Sequence, residues 1–488
     1  MDWMNKIDEI VEDLYQKQNI VYCQEQKSLY TRKEYYELVK PVIELIACYK
    51  DYTIDEFRNL LFEKSKIEDK VRYAVNEQEM VPGMVFSYGT KNYRETVVIG
   101  NSQEINFDQE NHMISDIEKI SEDTIFDLAS TTKLFTSLSI LKLVQDNFIK
   151  LEDKITKYAP QFKNLQEVTI FDLISFKVPL KTSKRVDKAM CREEAEQILE
   201  HIEIDHQNNR LNPYTDMGAM ILKYVIENVS GMSYYNYLRK NILNPLSMND
   251  TFVTIPKNKL DKVVSTNGDG KYYKDGNYII NTLNTKGIAY DPKAQVMGQK
   301  DGNLSGHAGL FSSAKDMTNL ARNIIKGQIL DEDYVEMLAR NRTGRKYFDL
   351  GKEKYIQYLG FLCFSKHPIS SNSEVFHALS GRSFASPGWT GTQLTVDPIN
   401  ELYFFLGSNR SHNRMTFIDP VYRDKIEINE KGKKTILLPD GSRKIDASQF
   451  AFERDEVIVH PALKLAIQYK ILEDICPCEK REKIIKIR

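Results

Sequence analysis

No stretch of the chain is apolar enough to span a membrane: none of its windows reaches the roughly 18 consecutive apolar residues that such a helix needs. The start, Met1-Asp2-Trp3-Met4-Asn5-Lys6-Ile7-Asp8-Glu9, has neither the basic opening nor the apolar centre of a secretory signal. The expected location is therefore the cytoplasm. Charge of one sign is missing too. With 67 Lys and Arg against 69 Asp and Glu, the formal net charge is -2, which gives no electrostatic footprint for nucleic acid. Cysteine is sparse: Cys23, Cys48, Cys191, Cys363, Cys476 and Cys478 are scattered, and a disulfide framework is not expected in a long cytosolic chain. Cys476-Pro477-Cys478 is spaced too closely for a usual zinc or redox pair. The histidines lack zinc-ligand spacing and nothing has the form of a phosphate loop, so neither a metal nor a cofactor is expected.

What the chain does have is 41% hydrophobic residues over 488 positions, enough for a large core and more than one structural unit. It also carries a nucleophile and a base on one helix. Phe126-Asp127-Leu128-Ala129-Ser130-Thr131-Thr132-Lys133 runs into the apolar stretch from Leu134 to Val144. Residues three apart share a helix face, so the Lys133 amine can reach the Ser130 hydroxyl. A serine is a poor nucleophile until a neighbour takes its proton, and a lysine can do so only if its pKa falls toward neutrality. Burial by Leu134, Phe135, Leu138, Leu141 and Leu143 and the positive end of the helix dipole are expected to lower it. Taken alone, S-x-x-K also reads as a capping serine followed by a solvated lysine.

Other segments extend the pattern. Asn212-Pro213-Tyr214-Thr215-Asp216-Met217-Gly218 leads into a helical run ending Val229-Ser230-Gly231. Pro245-Leu246-Ser247-Met248-Asn249-Asp250-Thr251, Ser305-Gly306-His307-Ala308-Gly309-Leu310-Phe311 and Phe384-Ala385-Ser386-Pro387-Gly388-Trp389-Thr390-Gly391-Thr392 follow. From about Ser65 to about Tyr469, their order and spacing resemble the serine β-lactamase and penicillin-binding-protein superfamily, in its class C β-lactamase-like and esterase branch. That branch has Y-x-N or Y-S-D before a helix, then P-L-G-M-x-D-T, G-H-A-G-L-F-S-T-A and F-G-H-T-G-F-T-G-T.

The resemblance implies a Ser130 nucleophile, with Lys133 and Tyr214 sharing one proton and titrating jointly. Tyr214 would protonate the leaving group and later activate water. Asp216, where many relatives have asparagine, would stabilise the Lys133 ammonium and shift the burden of base to Tyr214. The N–H groups of Trp389 and Ser130 would form the oxyanion hole, and Gly388 would let substrate lie along the strand. His307 is expected to pack a loop. The chain departs from the pattern at Ser386 and Pro387, where Lys or His usually leads the motif, and at Phe176-Lys177-Val178-Pro179-Leu180, which replaces a histidine and a T-S-G loop. Loss of the carboxylate anchor favours an esterase, amidase or acyltransferase working through a Ser130 acyl-enzyme on a small ester, amide or peptide-like substrate. A β-lactamase or D-alanyl-D-alanine carboxypeptidase, and a non-catalytic ligand-binding or sensor protein, are the alternatives.

The fold expected is α+β: an antiparallel sheet flanked by helices, with a helical lobe inserted over about residues 126–295 of a hydrolase domain spanning 65–472. Strands are expected at Val81 to Tyr88, Glu95 to Gly100, Gly360 to Phe364, Gln393 to Val396 and Leu402 to Leu406. An added hairpin falls at about 411–459 and a basic tail at 473–488. Residues 1–64 read as a helical extension, with Trp3, Ile7, Ile10, Val11 and Leu14 at helical spacing and capping boxes at Thr31 and Thr53. They would form an extra packing layer, with self-association through these helices as the other use.

Overall fold

The computed structural model describes residues 37–42, 54–283, 286–367, 374–376, 379–450 and 458–475. At its centre is an antiparallel sheet of seven strands: β1 (Gly83–Thr90), β2 (Arg94–Phe107), β3 (Met113–Lys119), β4 (Phe364–Ser365), β5 (Phe384–Pro387), β6 (Gln393–Asp397) and β7 (Leu402–Ser408). Their order across the sheet is β4-β5-β6-β7-β1-β2-β3. Strands β1, β6 and β7 are buried along their whole length, so both faces of the sheet's middle must be covered.

Five helices matter for that cover and for the site: α1 (Ile54–Ser65), α2 (Thr132–Gln145), α3 (Met217–Ser230), α4 (Ala314–Ile325) and α5 (His460–Ile475). Side chains alternate across a strand. Met84, Phe86 and Tyr88 of β1 and Leu402, Phe404 and Leu406 of β7 therefore share one core with Phe57 and Leu61 of α1 and Leu465, Tyr469 and Leu472 of α5. Val85, Tyr403 and Phe405 point the other way, into a larger core shared with Met317 and Leu320 of α4. Leu38, Val39 and Val42 join the first core, so the described part of residues 1–64 packs on the sheet rather than standing apart from it. The expected helix around Trp3 to Leu14, the capping boxes at Thr31 and Thr53 and four of the cysteines lie outside the described residues.

The helical lobe is organised around α2, in which even Lys133, Thr136, Ser137 and Ser139 are buried. A helix apolar nearly all round belongs in a core. Here α3 packs along α2 and ends at Gly231 in the left-handed conformation, φ 67°. The short helix Ile170–Ile174 opens with a full capping box, Thr169 with Asp172.

Two expectations are corrected. Gly360 to Phe364 is not a strand. Leu362 has φ 53°, which turns the chain back so that Leu359 bridges Phe364, and only Phe364 and Ser365 pair into the sheet. The added segment is a three-stranded meander, Ile426–Ile428, Lys434–Leu437 and Arg443–Ile445, rather than a hairpin. Among the described residues no helix is long and apolar enough to cross a membrane.

Candidate active site

Ser130 sits in a short 3₁₀ turn, Ala129–Thr131, that feeds directly into α2. Of residues 124 to 141 it alone is not buried. The turn is held by hydrogen bonds from both sides. Ala129 has φ 45°, a left-handed conformation that costs a non-glycine residue about 1–2 kcal/mol, and its N–H donates to Asp127 Oδ1 at 2.8 Å. The other Asp127 oxygen accepts the Tyr290 N–H at 2.5 Å. Burial pushes this carboxyl up to about 6. Thr131 Oγ1 donates to the Ser386 carbonyl at 2.8 Å, Thr392 Oγ1 to that of Leu128 at 3.1 Å and Thr390 Oγ1 to that of Asp127 at 2.6 Å. The Ser130 turn is thereby stitched to β5 and the turn that follows it.

Lys133 Nζ donates to Ser130 Oγ at 2.9 Å and to the His307 carbonyl at 3.4 Å, and touches Asp216 Oδ1 at 2.7 Å. The expectation that burial lowers its pKa is overturned. Burial does disfavour the ammonium, but Asp216 at contact distance and the Tyr214 phenol outweigh it, and the pKa rises above the ordinary lysine value.

Asp216 does not end the row of charges. Its second oxygen meets Lys293 Nζ at 3.0 Å, and Lys293 Nζ meets Asp291 Oδ2 at 3.1 Å. Asp291 Oδ1 pairs with His307 Nε2 at 3.0 Å and accepts the N–H groups of Lys293 and Ala294. Burial works against both carboxylates, yet Lys133, His307 and Lys293 hold Asp216 far below the usual range. His307 and Lys293 do the same for Asp291. Asp216, Asp291 and His307 present ligand atoms within 4.8 Å of one another, the spacing of a metal site. The Lys293 ammonium already bridges the two carboxylates, where a metal ion would stand. His307 meets Asp291 and Ser305 through its ring and Lys133 through its carbonyl, which is a packing and holding role.

The Tyr214 ring is sandwiched between Phe176 and Phe364, with centroids 5.3 and 5.4 Å away and planes within 26° of parallel. Lys133 Nζ lies 4.9 Å from its centroid. The loop that replaces the T-S-G segment thus supplies one slice of this stack. Gly388 has a structural reason in the packing of the turn. A Cβ there would collide with the Leu128 carbonyl and Thr392 Oγ1, so β5 can press against the Ser130 turn only without one. Ser386 is buried. Trp389 is 42% exposed, with the Arg410 guanidinium 4.9 Å above its ring and bonded to its carbonyl at 3.0 Å.

The motifs are thus gathered as one cluster, and the Beta-lactamase family model matches residues 77–426. The chain belongs to the Beta-lactamase family. Proteins provisionally named D-alanyl-D-alanine carboxypeptidase are similar to this family member. That of Salmonella gallinarum is 27% identical over 342 residues, covering 64% of this chain and 74% of the relative. That of Escherichia coli is 26% identical over 324 residues, covering 60% and 71%. Among solved structures, a penicillin-binding protein homologue from Caulobacter crescentus matches with TM-score 0.52 and 16% identity over 71% of this chain and 91% of its own. A class C β-lactamase from Rhodobacter sphaeroides matches with TM-score 0.50 and 15% identity over 71% and 95%. These two share the fold.

In this Beta-lactamase family member the sequence motifs bring Ser130, Lys133, Tyr214 and Asp216 together, and join Ser386, Gly388 and Trp389 to the same turn. Sequence reasoning missed Asp127, Asp291, Lys293 and Phe364. Asp291-Pro292-Lys293 did carry a signal, an N-cap followed by proline at a helix start. Nothing in that signal points to Asp216.

Proposed function

We propose that this protein is a serine hydrolase in which Ser130 is acylated by a small ester, amide or peptide-like substrate and then released by water. The observation that carries this reading is the 2.9 Å contact of Lys133 Nζ with Ser130 Oγ at the one unburied position of a buried segment. Lys133 and Tyr214 hold one proton between them; with that proton on Lys133 the ammonium donates to Oγ, and the Ser130 proton passes to the Tyr214 oxygen, which is anionic in that state. Oγ attacks the carbonyl carbon, and the N–H groups of Ser130 and Trp389 receive the charge that develops on its oxygen. Collapse expels the leaving group, which takes the proton from Tyr214. In the second half Tyr214 accepts a proton from water as the hydroxide oxygen attacks the acyl carbon, and Ser130 departs with that proton.

A D-alanyl-D-alanine carboxypeptidase is the second reading, favoured by the names of the relatives. It needs a cation for the substrate carboxylate. Position 386 holds a serine, and Arg382 already faces Glu336 at 3.6 Å and Glu332 at 3.9 Å. The test is intact-mass spectrometry after exposure to a fluorophosphonate, a p-nitrophenyl ester and a penicillin. One adduct on Ser130, absent in Ser130→Ala together with ester hydrolysis, is expected. Labelling elsewhere, or undiminished hydrolysis by the mutant, removes the assignment.

A further inference from the structure

The contact between Asp216 and Lys133 poses a difficulty for proton transfer. A lone carboxylate 2.7 Å from the ammonium would fix its proton, and a fixed ammonium cannot exchange protons with Ser130 and Tyr214 as the acyl-enzyme forms and breaks down. Four further observations bear on how the site avoids this. Lys293 is only 19% exposed, and its ammonium sits between two carboxylates at 3.0 and 3.1 Å instead of in water. Its backbone is fixed as well, because Asp291 caps the short helix by accepting the Lys293 N–H at 2.8 Å while its other oxygen takes the Lys293 ammonium. His307 holds Asp291 through Nε2 at 3.0 Å and accepts from Lys133 through its carbonyl at 3.4 Å. The contacts therefore run from Lys133 through Asp216, Lys293, Asp291 and His307 and return to Lys133.

Beside the His307 ring, two ammonium groups face two carboxylates. Other charged groups alter this little. Asp127, on the strand before Ser130, spends both oxygens on backbone N–H groups. Asp187, from the turn that packs near Lys293, is paired with Arg185 at 2.7 Å. Tyr214 faces Lys133 from the loop before α3.

We infer that Lys293 is a positioning residue of the reaction: by sharing Asp216 it offsets the anion beside Lys133, so that Lys133 and Tyr214 can exchange the proton of Ser130. This rests on the reading of Lys133 and Tyr214 as the proton carriers. Removing the Lys293 charge takes a cation away from Lys133 and leaves Asp216 to it alone. Both changes favour an extra proton on the Lys133 and Tyr214 pair, so the limb over which activity rises with pH moves upward. Replacing Asp216 by asparagine acts in the opposite sense. A purely structural lysine would produce neither the shift nor a rescue by a second substitution.

The experiment uses the full chain, with p-nitrophenyl ester turnover followed against pH and Ser130 acylation followed by intact mass. Lys293→Met is expected to slow acylation at neutral pH by about 10- to 100-fold, to leave KM nearly unchanged and to move the rising limb up by about one pH unit. Lys293→Arg keeps turnover within about threefold, since the charge remains. The double variant Lys293→Met with Asp216→Asn regains about tenfold over Lys293→Met, because asparagine no longer pins the ammonium. Where the methionine variant does not fold, Lys293→Gln, which can still hydrogen-bond both carboxylates, carries the same expected pH shift. An unmoved limb, or a double variant no faster than the single one, overturns the inference. Lys133→Ala and Tyr214→Phe run in parallel separate the two levels. If both retain full acylation the proton-carrier reading fails, and if both are inactive while the Lys293 variants behave as wild type only the role of Lys293 fails.

Discussion

Replacing Phe176 separates what holds the Tyr214 loop from what performs the chemistry. The ring is 3% exposed and stacks on Tyr214 with centroids 5.3 Å apart. Its backbone has φ 56°, in the left-handed region. Truncating a buried phenylalanine to alanine typically costs about 3–5 kcal/mol, and aromatic stacking contributes about 0.5–1.5 kcal/mol of that kind of loss. The backbone adds a term that alanine and glycine do not share. Alanine retains the left-handed penalty of about 1–2 kcal/mol, whereas glycine escapes it at an entropic cost of about 0.5–1 kcal/mol. Phe176→Gly should therefore be as stable as Phe176→Ala or more so, by about 0.5–1 kcal/mol, the reverse of the order in ordinary backbone. Thermal midpoints of the wild type, Phe176→Ala, Phe176→Gly and Phe176→Tyr measure this, with ester turnover read on the same samples. Both small variants should lose about tenfold or more in turnover because Tyr214 is no longer fixed from that side, while Phe176→Tyr, which keeps the stack, stays near wild type. A glycine variant clearly less stable than the alanine variant would refute the backbone argument. An alanine variant with full turnover would refute the claim that the stack positions Tyr214.

Gly388→Ala adds a single methyl group against the Leu128 carbonyl and Thr392 Oγ1, and should lower both the thermal midpoint and the rate of Ser130 labelling. Overpacking of this kind costs about 1–3 kcal/mol, and full labelling would show that β5 can retreat from the turn without consequence. Wild-type protein should hydrolyse neutral short-chain esters with higher kcat/KM than penicillins or D-alanyl-D-alanine peptides, by about tenfold or more, because a charge-assisted bond to the substrate carboxylate is missing. Faster hydrolysis of penicillins would refute this and direct attention to Lys177, whose ammonium stands 4.6 Å from the Phe171 ring centroid, and to Arg382.

The parts of the fold that were legible in the sequence are those in which a periodic pattern and a burial pattern coincide. The segments around β1, β6 and β7 combine apolar and aromatic residues with strand length, and the apolar run after Lys133 reads as a buried helix. Gly360 to Phe364 misled because apolar character reports burial and not extension. Gly360 to Cys363 are buried in a turn, made possible by the left-handed Leu362. The third strand of the meander, Arg443–Ile445, is short and polar, and its pairing with Lys434–Leu437 leaves no mark on periodicity. In the site, the S-x-x-K pair and the Tyr214 loop were visible because a helix fixes one spacing and motif order carries the other. For the protonation of Lys133 the sequence offered two opposed readings, burial lowering its pKa and Asp216 stabilising the ammonium. Its sign depends on a distance, the 2.7 Å to Asp216, and desolvation alone gives the wrong answer. Lys293 lies 77 positions beyond Asp216, and no local rule connects two residues that meet only in the folded chain.

The three departures from the superfamily pattern act in the same direction. An aspartate at position 216 brings an anion into the site, and the two lysines that contact it spend their charge on it and on Asp291. A serine at position 386 adds no compensating cation, and it is buried with its carbonyl already bonded to Thr131. Phenylalanine at position 176 extends Tyr214 into an aromatic wall with Phe364. On the other side of the turn, Arg410 directs its guanidinium to the carbonyls of Trp389, Ala447 and Thr416. An anionic substrate would meet Asp216 as a like charge and find these cations engaged, and burying a carboxylate without a partner is strongly unfavourable. An uncharged acyl group meets ring faces instead and gives up little hydration on entering. Each departure is tolerable in the presence of the others. Asparagine at 216 would leave Lys293 facing only Asp291, and a cation at 386 would have to be held at a buried position. The expected preference for neutral substrates thus rests on how the charges near Ser130 are already paired, and changing one residue alone should weaken the site before it redirects it.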